Sequence, residues 1–350
     1  MKSNRPLVSI MIPNRNHSAF LGDCIESALA QTYRNTEIVV LDNCSKDDSV
    51  SVVSKYLDRG VRLCKNPLNV GNVSYKFLAM LSEGDYMILL CADDLIDPCL
   101  IEKAVSVMEK HPGVGYVHCD RNYIDGNGKV TELDPFFNRS FMAPGESVLP
   151  IYMLTDIAQA SQCVMRRKTF EKVLGYDTEF DHANADKELW FRLSLVSDYA
   201  YIRERLALIR LHEARETTLG FRSFFHPLAI YLTLDNQAGW GEMEGRQNVL
   251  ERLPAAHRKL ASECLRIGFF CMKESRRALA GKYMLFSEII NEDVVHDEQY
   301  KRLRDLYERS AKVDWDEKDG ASEPDMFSRH MRNYDPPEGF EGLDINDYVA

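Results

Sequence analysis

Short β-rich runs alternate with helical patterns through the first 120 residues, and this alternation limits the fold more than any other feature of the sequence. Strands are predicted at Leu7–Ile12, Glu37–Leu41, Val61–Cys64, Tyr86–Cys91 and Val114–Cys119, separated by helices at Ala19–Gln31, Asp48–Leu57, Asn69–Ser82 and Pro98–Lys110. The helices have the right period. Val73, Phe77, Met80 and Leu81 form one apolar face, and Ile101, Ala104, Val105 and Met108 form another. Asp97 before Pro98 reads as a helix cap followed by a first-turn proline. Strand and helix in this rhythm imply βαβ units, hence an α/β fold with a doubly wound, mostly parallel sheet.

Beyond residue 120 the punctuation changes. Asp125-Gly126-Asn127-Gly128 reads as a turn between Tyr123-Ile124 and Val130, and 135–150 reads as a loop leading into short helices. A strand at Ala160–Arg166, a helix ending near Gly175, a helix over about Asn184–Val196 and strand-like runs at Tyr199–Arg203 and Ala207–Leu211 follow. After Thr217 only helices are predicted, at Phe221–Leu234, Arg258–Met272 and Arg276–Ile290. The chain therefore divides into an α/β domain over 1–220, with halves meeting near residue 120, a helical appendage over 221–311 and an acidic tail over 312–350. Four basic and eleven acidic side chains, with Pro336-Pro337-Glu338-Gly339, predict a tail that is poorly ordered or docked only locally, a reading that Trp315, Phe340 and Tyr348 temper. The apolar faces around Gly268-Phe269-Phe270 and Tyr283-Met284-Leu285-Phe286 suit packing within the appendage, or else acceptor binding, self-association or contact with a membrane surface.

At 350 residues the chain exceeds one typical core, which agrees with a second unit. Its 43 basic against 54 acidic side chains give a net charge of −11, largely in the tail, and no general drive toward nucleic acid or anionic lipid. Nine cysteines without a C-x-x-C spacing, several in apolar runs, read as reduced thiols of a cytoplasmic protein. Leu7–Ile12 is too short for a signal peptide and is closed by Pro13, and no run of about 18 apolar residues offers a membrane span. Peripheral attachment at the cytoplasmic face stays open.

In parallel sheets ligands bind beyond the carboxyl ends of the strands, and here those ends are rich in acids and amides. Pro13-Asn14-Arg15-Asn16 follows the first strand, Asp42-Asn43-Cys44-Ser45-Lys46-Asp47-Asp48 the second, and Ala92-Asp93-Asp94 the fourth. Neither G-x-G-x-x-G nor G-x-x-x-x-G-K-[ST] occurs, which removes the ordinary dinucleotide and P-loop readings. Asp93 and Asp94 suit Mg²⁺ or Mn²⁺ against a diphosphate, or simply a turn before the Asp97 cap. Asp42 suits a hydrogen bond from a nucleobase or ribose, or the start of a turn. Ser45 with Asp48 reads as a capping box. Asp186 falls in the first turn of a helix, on one face with Trp190 and Leu193, where an acid serves the helix dipole or chemistry, while Glu188 points to the opposite side.

The ordered set of motifs resembles the family 2 glycosyltransferases, inverting enzymes of the GT-A fold that use nucleotide-diphosphate sugars. The resemblance rests on Val8-Ser9-Ile10-Met11-Ile12-Pro13 with Asn16, on Leu21 and Ser27-Ala28-Leu29-Ala30-Gln31-Thr32-Tyr33, and on Glu37-Ile38-Val39-Val40-Leu41-Asp42-Asn43 with Ser45. It continues through Asn69-Val70-Gly71-Asn72, Gly84-Asp85-Tyr86, Leu90-Cys91-Ala92-Asp93-Asp94 with Pro98, Gly175-Tyr176-Asp177, Ala185-Asp186-Lys187-Glu188-Leu189-Trp190 and Leu208-Ile209-Arg210-Leu211-His212, covering about residues 5 to 218.

The resemblance implies a GT-A sheet with a C-terminal helical appendage, in which Pro13, Asn14, Asn16, Asp42 and Asn43 meet the nucleotide. Asn69, Gly71, Lys76, Ala92, Asp94, Trp190 and Arg210 complete the donor site, Asp93 and His212 hold Mg or Mn, and Asp186 is the general base, desolvated by Trp190 and substrate. The donor is expected to be a UDP- or dTDP-sugar and the acceptor a glycan, a lipid-linked precursor or a protein. Three positions depart from the family pattern. Cys91 stands where the first acid of Asp-x-Asp-Asp is common, Ala185 where an acid often precedes the base, and Lys76-Phe77 where Arg-Asn is common. With the first acid gone, Asp93 is expected to hold the ion alone among the carboxylates, with Asp94 turned to the sugar or a loop and weak affinity for metal without donor. Cys91 offers only a soft thiolate, which suits zinc better than diphosphate-bound Mg²⁺ or Mn²⁺. A donor-binding scaffold without turnover is the alternative these departures motivate. A sugar nucleotidyltransferase would need a Gly-rich, Arg-containing loop that Pro13-Asn14-Arg15-Asn16 does not supply.

Overall fold

The computed structural model describes residues 5–177, 184–212, 224–309 and 333–348. The expected boundary at 220, Phe221 and the tail residues 312–332 with Trp315 lie outside the described residues. Two compact units divide the described residues: the first takes in 5–152, 156–212 and 333–348, and the second 153–155 and 224–309.

The first unit is built on an eleven-stranded mixed, mostly parallel sheet. Strands β1 (Val8–Asn14), β2 (Thr36–Asn43), β3 (Val61–Asn66) and β4 (Tyr86–Leu89) run parallel in the order β3-β2-β1-β4, with Asn14 level with Asp42 and Asp42 level with Lys65. Helices α1 (Ser18–Leu29), α2 (Ser49–Ser54) and α3 (Val73–Leu81) form the crossovers that parallel pairing requires. Val8, Ile10, Ile12, Val40, Ile88 and Leu90 pack with Leu21, Cys24 and Ile25 of α1 in the main core. Gly84 sits so close to β1 that a Cβ there would fall 2.5 Å from the Ser9 backbone nitrogen.

The second half of the unit adds β5 (Leu95–Ile96), α4 (Leu100–Lys110), β6 (Val114–Asp125), β7 (Val130–Thr131), β8 (Phe141–Ala143), α5 (Gly145–Leu154), β9 (Cys163–Arg166), α6 (Arg167–Lys172), α7 (Ala185–Val196) and β10 (Asp198–Leu211). Antiparallel β9 lies between β4 and β6, and β6 pairs in parallel with β10. The two strand-like runs expected around residues 199–211 are one strand whose register shifts between Ile202 and Ala207, as at a bulge. The stretch 135–150 is not a plain loop. It contains β8 and the start of α5, which carries Pro150 in its interior and is held by Phe136, Phe137, Phe141, Val148 and Leu149 in the core. The end of the chain returns to this sheet as β11 (Glu341–Gly342), paired with β8, while the Tyr348 hydroxyl meets His111 Nε2 at 2.8 Å.

The second unit is helical, with α8 (Phe225–Met243), α9 (Gln247–Lys273), α10 (Arg277–Ile290) and α11 (Glu298–Arg309). Helix α9 begins earlier than the periodicity suggests and runs through Pro254. Leu260, Cys264, Leu265, Ala280, Tyr283 and Leu303 form its interior, and Gly268 admits Leu303, whose Cδ2 would lie 2.7 Å from an added Cβ. Among the described residues no helix is long and apolar enough to cross a membrane.

His118 is fully buried among Tyr116, Tyr152, Trp190 and Tyr199, and neither ring nitrogen has a partner among the described residues. Burial first, and the charge of Arg121 second, push its pKa down to about 3 from near 6.5. In the interval between these values the unfolded chain binds a proton that the folded chain refuses. Stability from this site is therefore full above pH 6.5 and falls by at most about 1.4 kcal/mol per pH unit toward pH 3. Urea unfolding at pH 7 and pH 5 should give a shallower pH dependence for His118→Leu than for the wild type; equal slopes would refute this assignment.

Candidate active site

The carboxyl ends of β1, β2 and β3 are tied into one polar lattice. Asn14 Nδ2 donates to Asp42 Oδ1 at 2.9 Å and to Ser45 Oγ at 3.2 Å, while Asp42 Oδ2 accepts the Ser45 N–H at 3.0 Å. Ser45 is no helix cap. Its Oγ accepts the Asn16 N–H; the N-cap of α2 is Asp48, which makes no side-chain cap bond, while Asp47 one residue earlier accepts both the N–H and the O–H of Ser49. Asn16 and Cys44 take left-handed backbone (φ 59° and 62°), which lets the two loops face each other, with Asn16 Oδ1 accepting the Lys46 N–H at 2.7 Å.

Asn43 extends the lattice. Its Nδ2 donates to Asn69 Oδ1 and the Gly71 carbonyl, and its Oδ1 accepts from Asn66 Nδ2 and Val70 N–H. Pro13 lies level with Leu41 in the same register, and Lys76 is half-buried on α3. Asn14 Oδ1 is buried with no partner among the described residues, an acceptor at the centre of this lattice.

The loop after β4 is fixed from within. Asp94 Oδ1 accepts the Arg210 N–H at 2.9 Å and Oδ2 accepts the Ser161 O–H at 2.6 Å, so Asp94 faces the loop. Arg210 is itself enclosed: its Nε donates to the Asp93 carbonyl, its Nη1 to the Asp125 carbonyl, and its guanidinium lies 4.5 Å over the Phe20 ring. Ala92 is buried in the core beside it. Asp93 Oδ2 meets His212 Nε2 at 2.9 Å, and ligand atoms of His17, Asp93 and His212 all lie within 4.8 Å of one another. Cys91 stands near Asp93 and Asp94, but burial, then the charges of Asp94 and Asp93, push its thiol well up, which keeps it protonated.

Asp186 opens α7 just after Asn184, whose backbone is left-handed (φ 67°). Its charge is felt by the Cys91 thiol, which puts it within electrostatic reach of the β4 loop. Desolvation, followed by the charge of Asp156, raises its pKa to about 6 against the opposing bond from the Lys187 N–H. Lys187 Nζ pairs with Asp156 at 3.3 Å. Trp190 is not in the cleft. It is buried, stacked on Tyr116 at 6.3 Å with its indole N–H on the Ala158 carbonyl. Glu188 is buried in an ion pair with Arg192.

The geometry thus gathers Asn14, Asn16, Asp42, Asn43, Asn69 and Gly71 into one lattice, and Asp93 with His212 into a second cluster. It directs Ala92, Asp94, Trp190 and Arg210 into the protein interior instead. Sequence reasoning passed over His17, Ser45 as a lattice member, Asp156 and Ser161. His17 lies three residues past the end of β1, as the N-cap of α1, where nothing local marks it as a site residue.

The sequence profile of Glycosyl transferase family 2 matches residues 9–174. An uncharacterized glycosyltransferase of Rickettsia typhi is 30% identical over 227 residues, covering 62% of this chain and 68% of that protein. The chain belongs to glycosyl transferase family 2. An uncharacterized glycosyltransferase of Rickettsia prowazekii matches with the same identity and coverage. Among solved structures, S. aureus TarS 1-349 in complex with UDP-GlcNAc aligns with a TM-score of 0.55 at 13% identity, over 96% of this chain and 99% of that one. At that identity the likeness speaks for the fold, and it agrees with a GT-A-like sheet carrying a C-terminal helical region. This family 2 transferase therefore has the strand ends of its GT-A sheet furnished as described.

The Asp156 contribution gives a direct check on the site. Asp156→Asn should move the Asp186 titration below about 6, toward the ordinary aspartate range, as read by carboxyl-carbon NMR. An unmoved titration would show that burial alone sets it.

Proposed function

We propose that this glycosyltransferase moves one sugar from a nucleoside-diphosphate sugar to an acceptor hydroxyl with inversion, using Asp186 as the base. The observation that carries this reading is the split between two acids of the same unit: Asp93 joined to His212, and Asp186 with its pKa raised to about 6. One carboxylate is suited to a cation and the other to a proton, the division that a metal-assisted single displacement needs.

The donor half is assigned to about 1–120 and the acceptor half to about 121–220. Asn14, Asn16, Asp42 and Asn43 would receive the nucleoside, with the open Asn14 Oδ1 as an acceptor for it. Asn69, Gly71 and Lys76 flank the path toward the sugar. TarS is described in complex with UDP and with UDP-GlcNAc, which supports a uridine donor here, with dTDP as its near relative. Asp93 and His212 would hold Mg or Mn, which when bound stabilises the negative charge of the diphosphate leaving group. Asp186 accepts the proton of the attacking hydroxyl, while Trp190 and the aromatic wall behind it keep water from that carboxylate. The acceptor is assigned to a surface glycan, a lipid-linked precursor or a protein. The work is assigned to the cytoplasm, with the helices of 221–311 as the candidate for membrane-surface contact or self-association.

Asp186→Asn should keep binding of UDP-sugar, read by thermal shift, while transfer falls by about 10²–10⁴. In the wild type, transfer should fall as the pH drops below about 6, where Asp186 takes up a proton. Normal transfer in Asp186→Asn would remove the assignment of the base.

A further inference from the structure

His17, Asp93 and His212 reach one point from three separate segments: the turn into α1, the loop after β4 and the end of β10. The His17 and His212 rings stand edge to face, with centroids 5.9 Å apart at 77°, so they converge instead of stacking. Phe20 packs against the His212 ring at 5.2 Å and helps fix its orientation. Two ligands at about 2.1 Å from one ion and at right angles to each other lie about 3 Å apart. The 2.9 Å from Asp93 Oδ2 to His212 Nε2 already has that span.

The other cluster of possible ligands, Cys91 with Asp93 and Asp94, fails on chemistry. Both Asp94 oxygens are already engaged, accepting bonds from Arg210 and Ser161.

We propose that His17 is the third protein ligand of the metal, standing in for the acid that Cys91 replaces, and that the site selects Mn²⁺, Co²⁺ or Zn²⁺ over Mg²⁺. The proposal rests on the reading above that an ion serves the donor diphosphate. Two imidazoles and one carboxylate form a borderline donor set, whereas Mg²⁺ prefers oxygen ligands and retains its waters. Three protein ligands also hold an ion before the nucleotide arrives, in contrast to the weak donor-free affinity expected from one carboxylate. With a single carboxylate, a divalent ion keeps a unit of positive charge facing the diphosphate, which a two-acid site would cancel.

Mn²⁺ titration of the full chain without nucleotide, followed by electron paramagnetic resonance, tests this. One ion should bind the wild type, His17→Ala should weaken it by about 10–100-fold, and Cys91→Ala should leave it unchanged. Electron spin echo modulation of the wild-type Mn²⁺ complex should count two imidazole nitrogens, independently of how any variant folds. A hundredfold excess of Mg²⁺ should fail to displace the Mn²⁺. One nitrogen, wild-type affinity in His17→Ala, or displacement by equimolar Mg²⁺ would overturn the proposal. UDP that fails to tighten Mn²⁺ binding would instead count against the diphosphate reading, while the nitrogen count would still decide the role of His17.

Discussion

The buried carboxylate of Asp94 is the interaction on which the site depends. It accepts an N–H from Arg210 on β10 and the O–H of Ser161 just before β9, so the loop after β4 is bound to two other pieces of the sheet. A buried carboxylate is tolerated only when so partnered, and each hydrogen bond to a charged group contributes about 1.5–3 kcal/mol. Arg210 returns the favour by donating to the Asp93 and Asp125 carbonyls. The outcome is a division of labour between adjacent acids. Asp94 is spent on holding the main chain, and Asp93 is thereby presented to His17 and His212.

A different solution operates at β1, β2 and β3, where the lattice is made largely of amides. An asparagine side chain both donates and accepts, so Asn43 alone meets four partners from two segments. Parallel register supplies the rest: Asn14 stands level with Asp42, and the left-handed turns at Asn16 and Cys44 let the following loops exchange bonds through Ser45 and Lys46. Rigid strand ends therefore position a surface that carries only one buried charge, Asp42, and that surface has an acceptor, Asn14 Oδ1, left to offer.

The order of strands and helices in the parallel half was legible because its signals are local: apolar runs, helical period and the acids that follow each strand. The face expected on α3 was not, since Phe77, Met80 and Leu81 are exposed while Ser74, Leu78 and Ala79 are buried. The side-chain identities of Asn14, Asp42, Asn43 and Asp93 gave their location at strand ends directly. What was not legible is set by distant parts of the chain. Whether Asp94 or Asp93 faces outward depends on Ser161 and Arg210, far away in sequence, and the inward turn of Trp190 depends on the aromatic cluster around Tyr116. Residues 135–150 carry β8 and the start of α5 because Phe137 and Phe141 bury against Tyr201, with Phe136 packed on Phe137, tertiary contacts that local turn signals do not encode. His17 was missed for a simpler reason. Carboxylates at strand ends suggest a metal by themselves, whereas a histidine near one does so only when a partner such as His212 arrives from β10.

Placement of Asp186 sets two effects against each other. A first-turn acid is stabilised in its charged form by the helix N-terminus, which makes it a poor base. Burial disfavours the charge, the neighbouring Asp156 adds to this, and together they outweigh the backbone bonds of the helix start and the nearby Lys187. A pKa of about 6 leaves the group about nine-tenths ionised at pH 7 and about a hundredfold more basic than an ordinary aspartate. A higher value would leave too little ionised base, and a lower one too weak a base, so the balance between burial and dipole favours proton transfer near neutrality. Because Lys187 pairs with Asp156, it restrains the second acid without neutralising the first. Asp156 thereby brings a second negative charge to bear on Asp186, which Ala185 beside it does not.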